Sequence, residues 1–375
     1  MKINLKATLS SLVTVVCLSL GIAGTAHADP NDLFVSVNAP GPGGTPGAIY
    51  QYTPTGTQST FVSSISKPRG LAFGSGGNLF VNTNAASGPP TTGTIVQIAP
   101  DGTTTNFATG FPADKFLEQL AFDAAGNIFV NSSDLSDPNL AGTVFKVLPD
   151  GTVTTFGTVP AQGFGVAVDS SGNVFAASAG TDQTIYKFTP GGVRSVFAGP
   201  AAFSGTQGPI GLKFDSSGNL FASAADSSGA GEILKFAPDA TKTVFATGLT
   251  NNPRGLAFDS DGNLFVAEVP GTTPGDILKF SPGGVMTTFA SGIGRSQGNS
   301  GPEYIAIKGT SCGCPAGPPG PQGPAGVGLV SGSTLLMKQG SAPPAGFTKL
   351  GTTDFQYKDL ASKNQKVTLD VYQKN

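Results

Sequence analysis

The sequence predicts an all-β fold: a six-bladed β-propeller built from four-stranded blades. Three observations predict it. First, the segment Gly77-Asn78-Leu79-Phe80 returns as Gly126-Asn127-Ile128-Phe129, Gly172-Asn173-Val174-Phe175, Gly218-Asn219-Leu220-Phe221 and Gly262-Asn263-Leu264-Phe265, after a degenerate copy Asn31-Asp32-Leu33-Phe34. Counted between Asn31, Asn78, Asn127, Asn173, Asn219 and Asn263, the intervals are 47, 49, 46, 46 and 44 residues. A period in the forties with strand-like content marks a propeller and not a helical array. Second, each period holds four short apolar segments. Third, the first and last units are each incomplete, and each supplies what the other lacks.

The first strand of a unit is typified by Gly70-Leu71-Ala72-Phe73 and Gly255-Leu256-Ala257-Phe258. A turn such as Asp259-Ser260-Asp261-Gly262 follows, made of residues that tolerate left-handed angles or cap their own backbone. The second strand is the Asn-Leu-Phe segment. The third alternates apolar and polar positions, as in Ile185-Tyr186-Lys187-Phe188 and Ile277-Leu278-Lys279-Phe280. A turn with proline at its start follows, as in Pro149-Asp150-Gly151, with φ preset by Pro and the strained angle taken by Gly. The fourth strand carries one Phe per unit: Phe61, Phe107, Phe156, Phe197, Phe245 and Phe289. Of 26 Phe, twelve therefore repeat at two positions. Each contributes about 2 kcal/mol when buried, so stacked sheets, not disulfides, supply the core.

The last first-strand copy, Glu303-Tyr304-Ile305-Ala306-Ile307-Lys308, has no strands two to four after it, whereas residues 32–63 supply strands two to four with no first strand before them. Paired, they complete a sixth blade and close a ring over 31–308, which removes open sheet edges.

The ends have separate characters, giving a signal peptide over 1–28, the propeller over 29–308, a Cys/Gly/Pro linker over 309–328 and a β-prone tail over 329–375. Lys2 and Lys6 precede a short apolar run, Leu12 to Ile22, and Ala26-His27-Ala28 reads as a cleavage site with a mature start at Asp29. The run is too short to span a bilayer, so a secreted protein is expected, whether extracellular, periplasmic or held at the cell surface. Cleavage would remove Cys17 and the chain's one histidine, His27, leaving Cys312 and Cys314 as the only cysteines. A Ser-His or Cys-His nucleophile is thereby excluded from the mature protein. Charged residues make up 12% of the chain and the net charge is −2, so nucleic acid and anionic membrane are not expected partners.

Ligands of propellers bind around the central channel, where each first strand begins. That position carries Arg69, Glu118, Phe164, Ile210, Arg254 and Glu303. Going round, Arg254, Glu303, Arg69 and Glu118 alternate in sign along one arc, opposite Phe164 and Ile210. The arc reads either as a self-neutralising ion-pair network or as a polar binding funnel. Glu268, on the second-strand type that also carries Asn82 and Asn131, is a further acidic candidate.

The stretches Pro253-Arg254-Gly255-Leu256-Ala257-Phe258-Asp259, Gly262-Asn263-Leu264-Phe265-Val266-Ala267 and Ile277-Leu278-Lys279-Phe280 resemble NHL-type repeats. They are also similar to the streptogramin lyase and gluconolactonase-like propellers. The resemblance covers about three-quarters of the chain and implies the fold. The lyases it brings in rely on histidines that the mature chain lacks. The gluconolactonase-like enzymes set carboxylate and amide oxygens around a divalent metal, which implies Ca²⁺ or Mg²⁺ at the channel as an alternative to no cofactor at all. Two functions are therefore expected: a non-catalytic binding protein for a protein, glycan or small molecule, or a metal-dependent lactonase-like hydrolase or lyase.

After the ring, Gly317-Pro318-Pro319-Gly320-Pro321-Gln322-Gly323-Pro324-Ala325-Gly326 forms three Gly-x-y triplets and resembles collagen. It reads either as a stiff polyproline linker or as part of a trimeric stem, with Cys312 and Cys314 joining chains. Their one-residue separation suits bonds between chains better than a bond to each other.

Overall fold

Four of the six blades share one device, an aspartate that clasps the turn between its first two strands. The Asp123 carboxylate accepts from the backbone N–H of Ala125 at 2.9 Å and of Asn127 at 2.8 Å, and from Asn127 Nδ2 at 2.7 Å. Asp169, Asp215 and Asp259 repeat it with Asn173, Asn219 and Asn263. The glycine before each Asn sits at a φ of 78 to 82°, a left-handed angle that a side chain opposes. This is why Gly-Asn is the part of the repeat that varies least.

The structure is a computed structural model that describes residues 28–38, 46–84, 93–134, 141–203, 205–226, 228, 230–269, 274–294, 301–309, 334–338, 347–358 and 364–374. Residues 1–27, Cys312, Cys314 and the collagen-like run lie outside these. The chain divides into two compact units, 1–315 and 316–375.

The first unit is a six-bladed β-propeller, each blade an antiparallel four-stranded sheet. The innermost strands of blades two to six are Pro68–Phe73, Lys115–Phe122, Gln162–Val168, Pro209–Phe214 and Asn252–Phe258. Blade one joins the two ends of the ring: Pro302–Ile307 is its innermost strand, pairing with Leu33–Val37 in the register Leu33↔Ile307, Phe34↔Ala306 and Val35↔Ile305. Gly47–Tyr52 and Gln58–Ile65 complete it. The turn of blade one is split between the chain segments. Lys308 N–H donates to the Asp32 carbonyl at 2.8 Å and Asn31 N–H to the Lys308 carbonyl at 2.6 Å, as Asp123 and Gly126 do within one segment. Asn31, at φ 69°, therefore takes the glycine's place. Asp32, not Asn31, stands where Asn78 stands, so the degenerate first copy is shifted by one residue from the count made on Asn31.

The repeating phenylalanines form two kinds of contact. Within every blade the second-strand and fourth-strand rings meet edge to face, with centroids 4.9 to 5.1 Å apart: Phe34–Phe61, Phe80–Phe107, Phe129–Phe156, Phe175–Phe197, Phe221–Phe245 and Phe265–Phe289. Between blades, further aromatics bridge each junction. Phe73, Phe122, Phe214 and Phe258 reach back to the second-strand Phe of the preceding blade at 5.0 to 5.2 Å. Phe188 meets Phe156 at 5.8 Å, and Tyr52 meets Phe289 at 6.1 Å across the closing junction. Such pairs add about 1 kcal/mol each beyond area burial.

The second unit contains an antiparallel sheet of Thr334–Lys338, Asn364–Lys374 and Phe347–Lys358, with Asn364–Lys374 in the middle. Among the described residues no helix is long and apolar enough to cross a membrane.

Deleting residues 302–308 removes the innermost strand of blade one and leaves Leu33–Val37 with an open edge. The expected outcome is loss of soluble protein. A truncated chain that stays monomeric and melts at the parent temperature would refute closure by this strand.

Candidate functional site

The innermost strands approach so closely that most have no room for a side chain at the position following the channel residue. These residues are Gly70, Gln119, Gly165, Gly211, Gly255 and Tyr304. A Cβ on Gly255 would lie 2.5 Å from Tyr304 Cα, and one on Gly211 would collide with the Arg254 carbonyl of the next strand. Blades three and one break the rule with large polar side chains, and these cross the axis. Gln119 Nε2 donates to the Leu212 carbonyl at 2.9 Å, and its Oε1 accepts from Leu212 N–H at 3.1 Å. Blade three is thereby tied to blade five past blade four. Tyr304 Oη donates to Glu118 Oε2 at 3.2 Å, tying blade one to blade three past blade two.

The four charged channel residues form one chain of contacts. Arg254 Nη1 lies 3.1 Å from Glu303 Oε2. Arg69 Nη1 donates to the same oxygen at 2.5 Å, and Arg69 Nη2 donates to Glu118 Oε1 at 3.1 Å. Glu303 and Glu118 are 1% and 2% exposed, so this is a desolvated network with formal charges that cancel. Arg69 also stacks on Phe116, 4.8 Å from the ring centroid. Burial pushes the Glu118 carboxyl up, against the pull of Arg69 and then Arg254. Burial also works against the Arg69 charge, but Glu118 and Glu303 more than restore it, and the guanidinium stays cationic. Burial, then the neighbouring Glu118, raises the Tyr304 phenol well above its ordinary value, so it remains a neutral donor. Phe164 and Ile210 are partly exposed on the opposite arc.

Amides on the second strands serve the backbone. Asn82 Nδ2 donates to the Glu118 carbonyl at 2.8 Å, and Asn131 Nδ2 donates to the Gly165 and Ala177 carbonyls at 3.0 and 2.9 Å. Ser223 Oγ does the same to the Arg254 carbonyl at 2.9 Å. Each thereby holds the innermost strand of the next blade. Glu268 is not their equivalent. It pairs in register with Asp276, whereas Asn82 pairs with Ile95 and Asn131 with Val144. Ala267, opposite Ile277, stands where those Asn stand. Glu268 is one position further along and so faces the other side of its sheet. It is 2% exposed, its Oε2 accepts from Asn251 Nδ2 at 3.5 Å, and its Oε1 has no hydrogen-bond partner. Burial raises its carboxyl above the ordinary range. The structure thus brings Arg69, Glu118, Arg254 and Glu303 together and leaves Glu268 apart. Gln119 and Tyr304 were missed by sequence reasoning, although their departure from a glycine column was there to be read.

No family model matches this chain, and no curated protein matches its sequence. Solved structures do share its fold. TolB from Acinetobacter baumannii superposes with a TM-score of 0.57 at 13% identity, over 74% of this chain and 67% of that one. A gluconolactonase from Xanthomonas campestris gives 0.48 at 16% identity, over 65% and 85%. Regucalcin, a calcium-binding protein from Agrobacterium tumefaciens, gives 0.47 at 13%, over 68% and 86%. At these identities the likeness is one of architecture: the chain is a six-bladed propeller of the shape those proteins have.

Both expectations about cofactors need correction. The expectation of none does not follow from the fold, since proteins of this shape include a calcium-binding one and a quinone-cofactor (PQQ)-bound sugar dehydrogenase. The alternative, Ca²⁺ or Mg²⁺ at the channel, does not fit the residues present. A hard cation needs several free oxygens, yet Glu303 Oε2 is shared by two guanidiniums and the Glu118 oxygens are taken by Arg69 and Tyr304, which leaves Glu303 Oε1 as the one carboxylate oxygen of this network without a partner. Among the described residues no group of three or more His, Cys, Asp or Glu is placed to hold a metal.

Glu303→Gln leaves two buried guanidiniums facing one carboxylate. It is expected to lower unfolding free energy by about 3 kcal/mol, read by urea denaturation, and a loss under about 1 kcal/mol would show that the network is not structural. Glu268 predicts a pH effect of definite sign. A folded-state carboxyl raised by burial contributes stability below its unfolded pKa that is lost as pH rises through the folded value. Glu268→Gln should therefore raise Tm at pH 7 to 8 more than at pH 4, and an equal shift at both would count against the assignment.

Proposed function

We propose that this chain is a secreted, non-catalytic binding protein with the propeller as its recognition head. One observation carries the reading: the channel is filled and neutralised by its own side chains. Gln119 and Tyr304 cross the axis, the carboxylates are spent on arginines, and the amides on backbone carbonyls. The one histidine, His27, lies in the leader expected to be removed.

A plugged axis leaves the rims for recognition. The connections between second and third strands leave from the end of the blades where the innermost strands enter, as the pairing Pro68↔Thr83 shows. By sequence these connections, such as 38–46, 84–93 and 270–274, are rich in Gly, Pro, Thr and Asn and contain no Lys or Arg. Such a rim suits an uncharged, hydrogen-bonding ligand, a glycan above all, and is poorly suited to phosphate backbones.

The test pairs an array of neutral glycans and peptides with lactonase and esterase assays on purified protein. Replacing 85–92 by a Gly-Ser linker is expected to abolish binding to any ligand found, while Glu118→Gln leaves it within about twofold. Robust turnover that Glu118→Gln abolishes would overturn the reading.

A further inference from the structure

We propose that the outer wall of the ring carries a binding cleft for a neutral saccharide, between blades one and two. The cleft has a volume of about 410 Å³, in the size range of small-molecule sites. Its sides are the end of the fourth strand of blade one, Gln58–Ile65, and the third and fourth strands of blade two, Thr94–Ile98 and Thr104–Ala108. It is separate from the axis and does not depend on recognition by the rim connections.

The cleft is open because three repeating positions carry shorter side chains here than at other junctions. The third-strand residue paired with Val81 is Val96, whereas the same register holds Tyr50, Phe145, Tyr186, Leu234 and Leu278 in the other blades. Between blades two and three, Phe145 meets Phe111 edge to face at 5.3 Å. Phe111 stands four residues after the fourth-strand Phe107, as Ile65 does after Phe61, so Ile65 and Val96 replace two rings. At the start of the fourth strand, Arg194 and Lys242 reach over their junctions towards the preceding blade, donating to the Thr158 carbonyl at 2.7 Å and the Ala202 carbonyl at 2.9 Å. Thr104 holds that register position in blade two and is too short to span the gap.

A second, independent observation comes from the backbone. Ser64 lines the cleft at φ 61°. The same position, three residues after the fourth-strand Phe, is Gly110, Gly248 and Gly292 in blades two, five and six, at φ 90, 76 and 73°. Blade one thus keeps a hydroxyl-bearing side chain at a left-handed angle that glycine adopts without strain. Ser63, Ser64, Thr104, Thr105 and Asn106 are exposed along the walls, over a floor of Val62, Ile65 and Val96. None of the described residues that line the cleft carries a charge. Hydroxyls and an amide around an apolar floor suit a pyranose, which presents hydroxyls at its edge and C–H groups on its face. A charged ligand would find no counter-ion there.

The experiment titrates the full chain with glucose, galactose, N-acetylglucosamine and maltose, read by calorimetry and saturation-transfer NMR. At least one sugar is expected to bind with millimolar or tighter affinity. Val96→Tyr and Thr104→Arg, which restore side chains found at other junctions, should each weaken binding at least tenfold with Tm unchanged or higher. Ser64→Gly should raise Tm and weaken binding, opposite signs that a purely structural serine would not give. If Val96→Tyr fails to fold, Thr104→Arg on the surface decides. Ligands held by the rim would instead be lost on replacing 85–92 and kept in both filling variants, so the two sites fail separately. The proposal is overturned if none of the four sugars binds, if the filling variants bind as the parent does, or if Ser64→Gly leaves affinity unchanged.

Discussion

The ring depends on backbone approaching backbone at its axis. Six twisted sheets can meet around one line only if their innermost strands come nearly into contact, and four of the six use glycine at that point. The two exceptions are informative because the space left by four glycines is what Gln119 and Tyr304 occupy. Their hydrogen bonds skip a blade, from three to five and from one to three. A ring held only by neighbour contacts can open at any junction, but cross-ring bonds couple junctions that share no surface. Tyr304 lies on the strand that completes blade one, so the same residue that closes the sheet also reaches across the axis.

The charges follow from that crowding. Once the strands are this close, Arg69, Glu118, Arg254 and Glu303 are desolvated whatever their identity, and a desolvated charge persists only when paired. Alternation of sign round the arc meets that condition, with Glu303 serving two arginines and Arg69 two glutamates. The outer parts of the blades solve a different problem with different means. There Lys146, Lys187, Lys235 and Lys279 lie over the second-strand Phe rings at 5.1 to 5.7 Å. Lys235 and Lys279 also approach the clasping aspartates Asp215 and Asp259 at 3.9 and 3.7 Å. Blade two has Gly74 for the aspartate and Gln97 for the lysine, so both charges are missing together. Blade one replaces the pair by Gln51 donating to Asp32 at 2.5 Å. Blades three to six keep both charges and blade two drops both, whereas blade one keeps Asp32 opposite the neutral Gln51.

Blade number, strand order and the closing strand were legible in the sequence because they rest on local signals: glycine at left-handed turns and a Phe at a fixed step along each strand. The alternating arc was legible too, since the repeat aligns Arg69, Glu118, Arg254 and Glu303. What could not be read was direction and distance. Glu268 looked comparable to Asn82 and Asn131 until the register set it one residue on, and a slip of one residue moves a strand side chain to the opposite face. The aromatic bridges through Phe73, Phe122, Phe188 and Tyr52 were hidden because they join different blades, a relation that periodicity within a blade does not encode. The alternative of a metal at the channel failed for a similar reason. Residue types can match a ligand set while most of the carboxylate oxygens are already taken by arginine and tyrosine.

The position of Glu268 shows how function and stability divide this fold. Every other buried carboxylate discussed here has a cation, a phenol or an amide within 3.2 Å, and each lies on the axis or in a turn clasp, where ring closure requires order. Glu268 has only the Asn251 amide, at 3.5 Å, and it sits at the end of its strand, beside the rim connections and away from the axis. A fold whose axial carboxylates each hold a close cation or phenol can tolerate one weakly partnered carboxylate at its edge, because the cost is local and the ring does not depend on it. The same division explains why the connections vary freely in length, from four residues in blade four to ten in blade two, while the turns at the other end hold their Gly-Asn spacing. Order is concentrated where the sheets converge, and variation is left where a partner would meet the protein.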